Sequence, residues 1–171
     1  MEKNHMNIKL IILDVDGVLT DGKMHYTNKG DEMKSYNALD GKGIEIWRRS
    51  KREIAIITGE KIKCISDRAK KLKIKDIYLG ITDKEKILEK MKRKYKISNK
   101  QIAFVGDDLN DFKIMKQVGL PIAVNNAVPE IKKISKYVTK TRGGEGAVRE
   151  AVEFILKKEK VWQKAIKYYT G

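Results

Sequence analysis

The chain has 171 residues, of which 41% are hydrophobic and 36% are charged. This balance and length predict a soluble globular protein with one domain over residues 1–171. Only two prolines and no low-complexity tract argue against long disordered linkers. The lone cysteine, Cys64, excludes an internal disulfide and is typical of a reducing compartment. Residues 1–13 lack the pattern of a secretory signal, and no stretch reaches the roughly 20 apolar residues of a membrane span. We therefore expect a cytoplasmic protein with no membrane partner.

The net charge of +15 raises the question of a nucleic-acid partner. The lysines, however, are spread along the whole chain, mostly on predicted helix faces, and the sequence has neither a nucleic-acid-binding motif nor an interleaved aromatic platform. A general lysine bias or adaptation to high temperature explains the charge equally well. A basic exterior also attracts a phosphorylated acid. We predict no nucleic-acid partner.

Apolar runs and helical patterns alternate along the chain. The first half predicts a strand at 8–13, a two-stranded ribbon within 23–36, a helix at 41–50, a strand at 54–57, a helix at 61–72 and a strand at 77–79. The second half predicts a helix at 83–95, a strand at 102–105, a helix at 109–118, a strand at 121–124, a short helix at 128–135, a strand at 137–138 and a helix at 145–158, before a helical tail at 159–171. This alternation predicts an α/β fold, with a mostly parallel sheet that carries helices on both faces. The ribbon is an inserted β-hairpin, and the remaining gaps leave no room for a cap domain.

Two carboxylates, Asp14 and Asp16, directly follow the apolar first strand. Open α/β sheets bind ligands outside the carboxyl ends of their strands, and side chains two residues apart on an extended segment point the same way. Like charges this close raise each other's pKa unless a cation lies between them, which favours a divalent metal with oxygen ligands, above all Mg²⁺. An aspartate beside Mg²⁺ can accept a phosphoryl group as an aspartyl-phosphate. The alternative is a pair of turn-forming aspartates.

On the phosphoryl-transfer interpretation, Asp14 attacks phosphorus and binds the metal, while Asp16 protonates the leaving alkoxide and later takes a proton from water. Thr58 and Gly59, at the end of the second buried strand, offer a hydroxyl and backbone N–H groups to phosphate oxygens, although a helix N-cap is the alternative. Lys84 opens a predicted helix and can neutralise phosphate and the attacking carboxylate, or it is one more surface lysine.

Three acids, Asp107, Asp108 and Asp111, crowd the start of the segment that follows the strand at 102–105. Acids are favoured at a helix N-terminus, so capping explains one or two of them. The third acid, Asp111, lies one helical turn further on, and its presence favours a role in binding a metal or in orienting Lys84.

A glycine-rich segment, Gly143–Gly146, leads into the last predicted helix. Its backbone can approach a ligand closely, and Arg149 can then pair with a carboxylate of that ligand. A flexible turn with a solvated arginine explains the same residues equally well.

The ordered motifs of the chain resemble those of the haloacid dehalogenase superfamily. They are Asp14–Gly22, Asp40-Gly41, Thr58-Gly59, Arg68, Lys84, Gly106-Asp107-Asp108 and Gly143–Glu150. Within that superfamily they are most similar to the capless sugar-acid phosphatases, which act on 3-deoxy-D-manno-octulosonate 8-phosphate or on nine-carbon, sialic-acid-type relatives of it. The resemblance covers residues 8–156 and implies a Rossmann-like fold, Mg²⁺ and a homotetramer. In that assembly the ribbon builds the subunit contacts and lets one protomer close the site of its neighbour.

The resemblance also implies a role for each matching residue. It makes Asp14 the nucleophile and Asp16 the general acid and base, with Asp14, Asp107 and the carbonyl of Asp16 as the ligands of Mg²⁺. It assigns phosphate binding to Thr58, Gly59 and Lys84, support of the metal site to Asp108 and Asp111, and contact with the sugar acid to Arg149 and the loop that contains Gly144.

One residue departs from the eight-carbon pattern. Eight-carbon enzymes usually carry arginine directly after Thr-Gly, where this chain has Glu60. A carboxylate can accept hydrogen bonds from sugar hydroxyls but repels the acid group of the substrate. Arg68 and Lys71 on the next predicted helix are further substrate-binding candidates. Thr58-Gly59-Glu60, together with Lys71, is more similar to the nine-carbon branch. Eight-carbon and nine-carbon substrates both stay open.

Other functions fit parts of the sequence. A non-catalytic basic scaffold that binds acidic polymers would keep the fold and the charge, and a broad-specificity phosphomonoesterase would share the site. Dehalogenation needs no metal, so the predicted metal-binding acids Asp107 and Asp108 argue against that reaction. A phosphomutase usually needs a cap domain to exclude water, and the chain has no room for one. We expect a Mg²⁺-dependent phosphatase with a phosphorylated sugar acid as its small-molecule partner.

Overall fold

The structure is a computed structural model of the chain, and it describes residues 6–171. Its strands, in chain order, are β1 (Leu10–Leu13), β2 (His25–Tyr26), β3 (Glu32–Met33), β4 (Glu53–Ile57), β5 (Asp76–Tyr78), β6 (Ile102–Gly106), β7 (Leu120–Ala123) and β8 (Tyr137–Val138). Its helices are α1 (Ala38–Arg49), α2 (Lys63–Lys71), α3 (Lys84–Tyr95), α4 (Phe112–Met115), α5 (Pro129–Ile134), α6 (Ala147–Lys158) and α7 (Trp162–Thr170). Among these described helices, none has the length and apolar character needed to cross a bilayer.

Six strands of the described range form one parallel sheet in the order β5-β4-β1-β6-β7-β8. The predicted α/β fold with a parallel, Rossmann-like sheet is confirmed. β1 is buried along its whole length, with β4 on one side and β6 on the other. Strands covered on both faces have continuous apolar sequences, as Leu10–Leu13 and Ile54–Ile57 do. The strand order changes direction at β1, and ligands of such sheets bind at this point, outside the carboxyl ends of the strands.

The inserted ribbon is shorter than the sequence predicts. β2 and β3 pair antiparallel, and the pairing joins only His25–Tyr26 to Glu32–Met33, as a sheet apart from the main one. The predicted ribbon at 23–36 is present, but most of it lies outside the paired residues. A ribbon this short is not stable alone, so its position depends on contacts with the body of the molecule or with other chains.

α1 begins at Ala38, before the predicted start at residue 41. Asn37 supplies the reason, because its Oδ1 accepts a hydrogen bond of 2.7 Å from the N–H of Leu39 and caps the helix. Apart from α4, the other helices lie where the periodic apolar residues predict them. The tail forms α7, which packs on α1 and α6.

The predicted helix at 109–118 is present only in part. Leu109–Asp111 form a tight 3-10 turn, and α4 spans only the four residues after it. The buried Asp111 side chain accepts a hydrogen bond of 3.1 Å from the N–H of Asp107, which holds the turn folded back on the end of β6. The sequence shows that this segment is acidic but not that one of its acids turns inward.

α1 and α6 pack closely at a joint made by Asp40 and Gly43. The buried Asp40 carboxylate accepts a hydrogen bond of 3.0 Å from the N–H of Arg149 in α6. Burial raises the pKa of Asp40 to about 6, although N–H groups at the start of α6 act to lower it. A Cβ on Gly43 would lie 2.8 Å from the Cα of Arg149, so the two helices touch where only glycine fits. The joint fixes α6, whose preceding loop reaches the turn after β1.

We predict that Gly43→Ala lowers the free energy of unfolding by about 1–3 kcal/mol, because the added methyl group must displace the backbone of α6. Urea unfolding followed by circular dichroism measures the change. Gly59→Ala is the matched control, because a Cβ there would lie 3.9 Å from its nearest neighbour. Equal free energies of unfolding for the two variants would contradict the close packing of α1 on α6.

Candidate active site

The carboxyl ends of β1, β4 and β6 open into a cavity of about 270 Å³. Asp14 follows β1, Thr58 follows β4 and Asp107 follows β6, and the register of the three strands sets these residues side by side. The cavity wall also contains Asp16, Gly17, Gly22, Met24, Gly59, Glu60, Asp108 and Asn110. The prediction that Asp14, Thr58 and Asp107 meet at one edge of the sheet is confirmed.

Lys84 lies beside this cavity and pairs with two carboxylates. Its Nζ lies 2.6 Å from Asp111 Oδ1 and 3.1 Å from Asp14 Oδ1, and its side chain is 2% exposed. It is the first residue of α3, directly after the Asp83 N-cap. Burial acts to lower the pKa of Lys84, but Asp14 and Asp111 outweigh burial and hold that pKa above its ordinary value. A buried ammonium therefore lies beside Asp14, and Lys84 is not a surface lysine.

The carboxylates of Asp14, Asp107 and Asp111 carry more negative charge than Lys84 neutralises. One oxygen of each lies within 4.8 Å of the others. Burial, followed by the charge of Asp111, raises the pKa of Asp14 to about 7. Burial, followed by the charges of Asp14 and Asp111, raises the pKa of Asp107 to about 8. Carboxylate oxygens at this spacing, with a surplus of negative charge, fit a divalent cation such as Mg²⁺.

Thr58 and Glu60 line another part of the cavity. The backbone of Thr58 belongs to the sheet, because its N–H donates a hydrogen bond of 3.0 Å to the carbonyl of Tyr78. Its Oγ1 accepts a hydrogen bond of 3.2 Å from the N–H of Glu60, which leaves the hydroxyl hydrogen available to an anion in the cavity. The half-buried side chain of Glu60 adds a carboxylate to the wall.

Known proteins are similar to this chain in sequence. Residues 31–151 match the family model of the haloacid dehalogenase-like hydrolases. The chain belongs to this family. Over 150 residues it is 43% identical to the 3-deoxy-D-manno-octulosonate 8-phosphate phosphatase of Yersinia pestis, with 88% of this chain and 80% of that protein covered. The family resemblance drawn from the motifs is thereby confirmed.

Solved structures of relatives have the same fold. The crystal structure of the 3-deoxy-D-manno-octulosonate 8-phosphate phosphatase of Moraxella catarrhalis, in complex with magnesium, phosphate and KDO, matches this hydrolase with a TM-score of 0.92 at 37% identity. The match covers 96% of this chain and 95% of that one. The Yersinia pestis enzyme matches with a TM-score of 0.90 at 40% identity, over 93% of this chain and 86% of that one.

Two residues to which the sequence assigns no role, Thr20 and Asn126, support the site of the hydrolase. Thr20 Oγ1 accepts a hydrogen bond of 3.3 Å from the N–H of Gly17 and donates one of 3.3 Å to Asp16 Oδ1. Asn126 donates a hydrogen bond of 2.9 Å to the carbonyl of Gly17 and accepts one of 2.6 Å from the N–H of Gly143. The position of Asn126, shortly after the buried strand β7, is a signal that could have identified it.

The glycine-rich segment packs on the turn after β1 and does not line the cavity. A Cβ on Gly143 would lie 1.7 Å from the carbonyl oxygen of Gly17, and one on Gly144 would lie 2.5 Å from the nitrogen of Asp21. The N–H of Gly144 also donates a hydrogen bond of 3.1 Å to the carbonyl of Val18. The close approach of this loop in the structure is thus to the backbone of the turn, and contact between Gly144 and a ligand stays a prediction.

Three candidate substrate residues lie away from the cavity of their own chain. Arg149 Nε donates a hydrogen bond of 2.7 Å to Glu153, one turn along α6, so its side chain runs along the helix. Arg68 Nη2 donates a hydrogen bond of 3.2 Å to the carbonyl of Asn37. Lys71 lines a separate cavity between α1 and the end of α2. Within one chain, these side chains are not gathered around the acid cluster.

We predict that the hydrolase without a divalent cation loses stability as the pH rises. The folded-state pKa values of Asp14, about 7, and Asp107, about 8, exceed the ordinary value of 3.8. At pH values between 3.8 and these raised pKa values, the folded protein holds more protons than the unfolded chain. The stability that comes from these protonated carboxyl groups is therefore present at low pH and is lost as the pH rises through 7 to 8. Mg²⁺ should restore the stability, because a bound cation favours the ionised carboxylates.

The Tm measured by calorimetry from about pH 5 to about pH 9, with chelator or with excess Mg²⁺, checks this prediction. Asp107→Asn is the control, because it removes one of the titrating groups of the acid cluster. Its Tm in chelator should depend less on pH than that of the wild type. If the chelated wild type and Asp107→Asn have the same pH dependence, the acid cluster does not set the stability of the hydrolase.

Proposed function

We propose that this hydrolase is a Mg²⁺-dependent phosphatase that removes the terminal phosphate of a 2-keto-3-deoxy sugar acid. The observation that carries the proposal is the cluster of Asp14 and Asp107 with Lys84 at the carboxyl edge of the sheet. A carboxylate beside a buried ammonium, with a set of oxygen ligands for a cation, is the arrangement that phosphoryl transfer to aspartate requires. Relatives named as phosphatases of 3-deoxy-D-manno-octulosonate 8-phosphate support the sugar-acid substrate.

The first step transfers the phosphoryl group to the protein. An oxygen of the Asp14 carboxylate attacks phosphorus and forms a P–O bond, while the bond from phosphorus to the sugar oxygen breaks. Protonated Asp16 gives its proton to that oxygen, so the sugar leaves as an alcohol. Lys84, 3.1 Å from Asp14 Oδ1, stabilises the charge that gathers around phosphorus. When bound, the divalent cation supplies further neutralisation beside Asp14 and Asp107.

The second step releases phosphate. Asp16, now a carboxylate, takes a proton from a water molecule, and the oxygen of that water attacks phosphorus. The bond between phosphorus and Asp14 breaks, inorganic phosphate leaves, and both aspartates return to their starting forms. The net reaction consumes a phosphate monoester and water and yields the sugar acid and phosphate.

The other residues of the site take supporting roles in this proposal. In this proposal, Thr58, Gly59 and Lys84 bind the phosphate group. Asp111 holds Lys84 in place, since its Oδ1 lies 2.6 Å from the ammonium. Asp108 caps the turn after β6, because its side chain accepts a hydrogen bond of 2.7 Å from the N–H of Leu109.

We also propose that the enzyme works as a homotetramer in the cytoplasm. The ribbon and the start of α1 expose the large apolar side chains Met24, Tyr26, Met33 and Leu39. Contacts between subunits would cover this surface and stabilise a ribbon that is marginal alone. Arg68 and Lys71, which do not line the cavity of their own chain, would then be available to the site of a neighbour.

Asp14→Asn should lower kcat by at least about 1,000-fold, because an amide cannot serve as the nucleophile. The measurement is phosphate release from a 2-keto-3-deoxy sugar acid phosphate in the presence of Mg²⁺. Asp67→Asn, which changes an exposed aspartate paired with Lys63 on α2, is the control and should keep the wild-type rate. If the wild type released no phosphate from any monoester, the proposal would fail. The non-catalytic basic scaffold would then remain, and Asp14→Asn would leave its binding of acidic polymers unchanged.

Glu60 favours a second candidate substrate, a nine-carbon, sialic-acid-type phosphate. Its carboxylate lies in the cavity wall, where it can accept hydrogen bonds from sugar hydroxyls and repels the acid group of a substrate bound close to it. A longer sugar acid can keep its acid group farther from Glu60 while its phosphate occupies the same site.

We predict a higher kcat/KM for the nine-carbon than for the eight-carbon sugar acid phosphate. Glu60→Arg should shift the ratio of the two kcat/KM values at least about tenfold toward the eight-carbon substrate, because it replaces repulsion of the substrate acid by attraction. Glu60→Gln separates the effect of the charge from that of the side-chain shape. Equal kcat/KM values for both substrates in the wild type would remove Glu60 as a guide to specificity.

A further inference from the structure

Lys34 has a buried side chain in a part of the chain that is largely exposed. Residues alternate along this segment, with Glu32, Lys34 and Tyr36 half-buried and Met33 and Ser35 exposed. This period of two turns the Lys34 side chain toward the body of the molecule. Its exposed fraction is 0%, which is rare for lysine because a buried ammonium without partners is costly.

The Lys34 ammonium has two carboxylate partners. Its Nζ lies 2.7 Å from Asp16 Oδ1 and 2.9 Å from Glu32 Oε1. Glu32 belongs to β3 and its side chain is 14% exposed, so the ribbon itself holds the ammonium in place. The pair connects the ribbon to the proposed proton donor, which is 18 residues away along the chain.

Two donors contact the same oxygen of Asp16. Lys34 Nζ and Thr20 Oγ1 both donate to Asp16 Oδ1, at 2.7 and 3.3 Å. Because Oδ1 is engaged as the acceptor of both, Oδ2 is the oxygen left to carry and transfer a proton. The carboxyl group is therefore oriented as well as held, and Asp16 lies in the cavity wall where that orientation matters.

We propose that Lys34 is a positioning residue for Asp16: together with Thr20 it holds Oδ1 and so directs the protonated Oδ2 at the oxygen of the leaving group. The inference rests on the proposed function, in which Asp16 donates that proton. In this step the O–H bond at Oδ2 breaks, the O–H bond of the sugar alcohol forms, and the P–O bond to the sugar breaks. Lys34 acts through Asp16 and transfers no proton itself.

Positioning of the acid predicts a dependence on the leaving group that a merely structural role does not. A sugar alkoxide is a poor leaving group and needs the proton, whereas p-nitrophenolate leaves readily without it. Loss of Lys34 should therefore slow the two kinds of ester unequally. A loosened ribbon would instead slow both alike.

The experiment compares kcat/KM for p-nitrophenyl phosphate with kcat/KM for the better of the eight- and nine-carbon sugar acid phosphates, in excess Mg²⁺. kcat/KM includes the step in which the leaving group departs and excludes the later hydrolysis of the aspartyl-phosphate. Lys34→Met removes the ammonium and keeps a long side chain. It should lower kcat/KM by about 10–100-fold for the sugar ester and by less than about 3-fold for the nitrophenyl ester. Lys29→Met, at the exposed tip of the ribbon, is the matched control and should change neither value.

A double variant identifies the route of the effect. If Lys34 acts through Asp16, adding Lys34→Met to Asp16→Asn should change kcat/KM for the sugar ester by less than about 2-fold. A full additional loss in the double variant overturns the proposal, and so do equal losses for the two esters or an unchanged rate for the sugar ester.

Two further outcomes are distinct from these. If Lys34→Met fails to fold, Lys34→Gln keeps a polar group at the buried position, and the same results support or overturn the proposal. A wild type that hydrolyses neither ester refutes the proposed function itself. If the wild type is active but Lys34→Met lowers kcat/KM equally for the two esters, only the positioning role of Lys34 is refuted.

Discussion

The buried contact of Lys84 with Asp14 and Asp111 is the interaction on which the rest of the structure depends. A buried ammonium is stable only with well-placed partners, and removing one partner of such a pair costs about 3–5 kcal/mol. The three side chains come from the end of β1, the start of α3 and the turn after β6, so these elements must be correctly placed together. The sheet order satisfies this requirement by setting β1 between β4 and β6. The contacts of Lys84 therefore require the same placement of β1, α3 and the turn after β6 that the fold provides.

A second group of contacts supports the turn after β1 from residues that do not line the cavity. Gly143 packs on the carbonyl of Gly17, and Asn126 bridges these two residues by hydrogen bonds. Asp40 and Gly43 fix α6, the helix that follows the glycine-rich loop. Motif residues in these segments thus serve backbone packing, since a small shift of the turn would displace both of its aspartates. A match to a sequence motif does not by itself show whether a residue packs against the turn or contacts a ligand.

Local sequence patterns predict the sheet and the edge at which the acid cluster lies, but they do not reveal contacts between distant segments. A buried strand followed by a polar residue is a local signal, which is why Asp14, Thr58 and Asp107 could be predicted to meet. Asn126 and Gly17 are 109 residues apart, and no spacing in the sequence reports such a pair. The helix predicted at 109–118 is longer than the one observed for the same physical reason, because the hydrogen bond that Asp111 accepts from the N–H of Asp107 holds the first turn and helical periodicity does not report it.

The chain separates the groups proposed for chemistry from those that would recognise the sugar. The acid cluster and Lys84 are assembled within one chain, whereas Arg68 and Lys71 lie outside its cavity. In the proposed function the phosphate end of a substrate would meet the same groups whatever the sugar is, so selection would depend on Glu60 in the cavity wall and on groups outside the cavity. Lys34 connects the ribbon to the proposed proton donor. Under the proposed function, a contact that displaced Lys34 would therefore also disturb the orientation of Asp16, and recognition of the sugar would be coupled to cleavage at phosphorus.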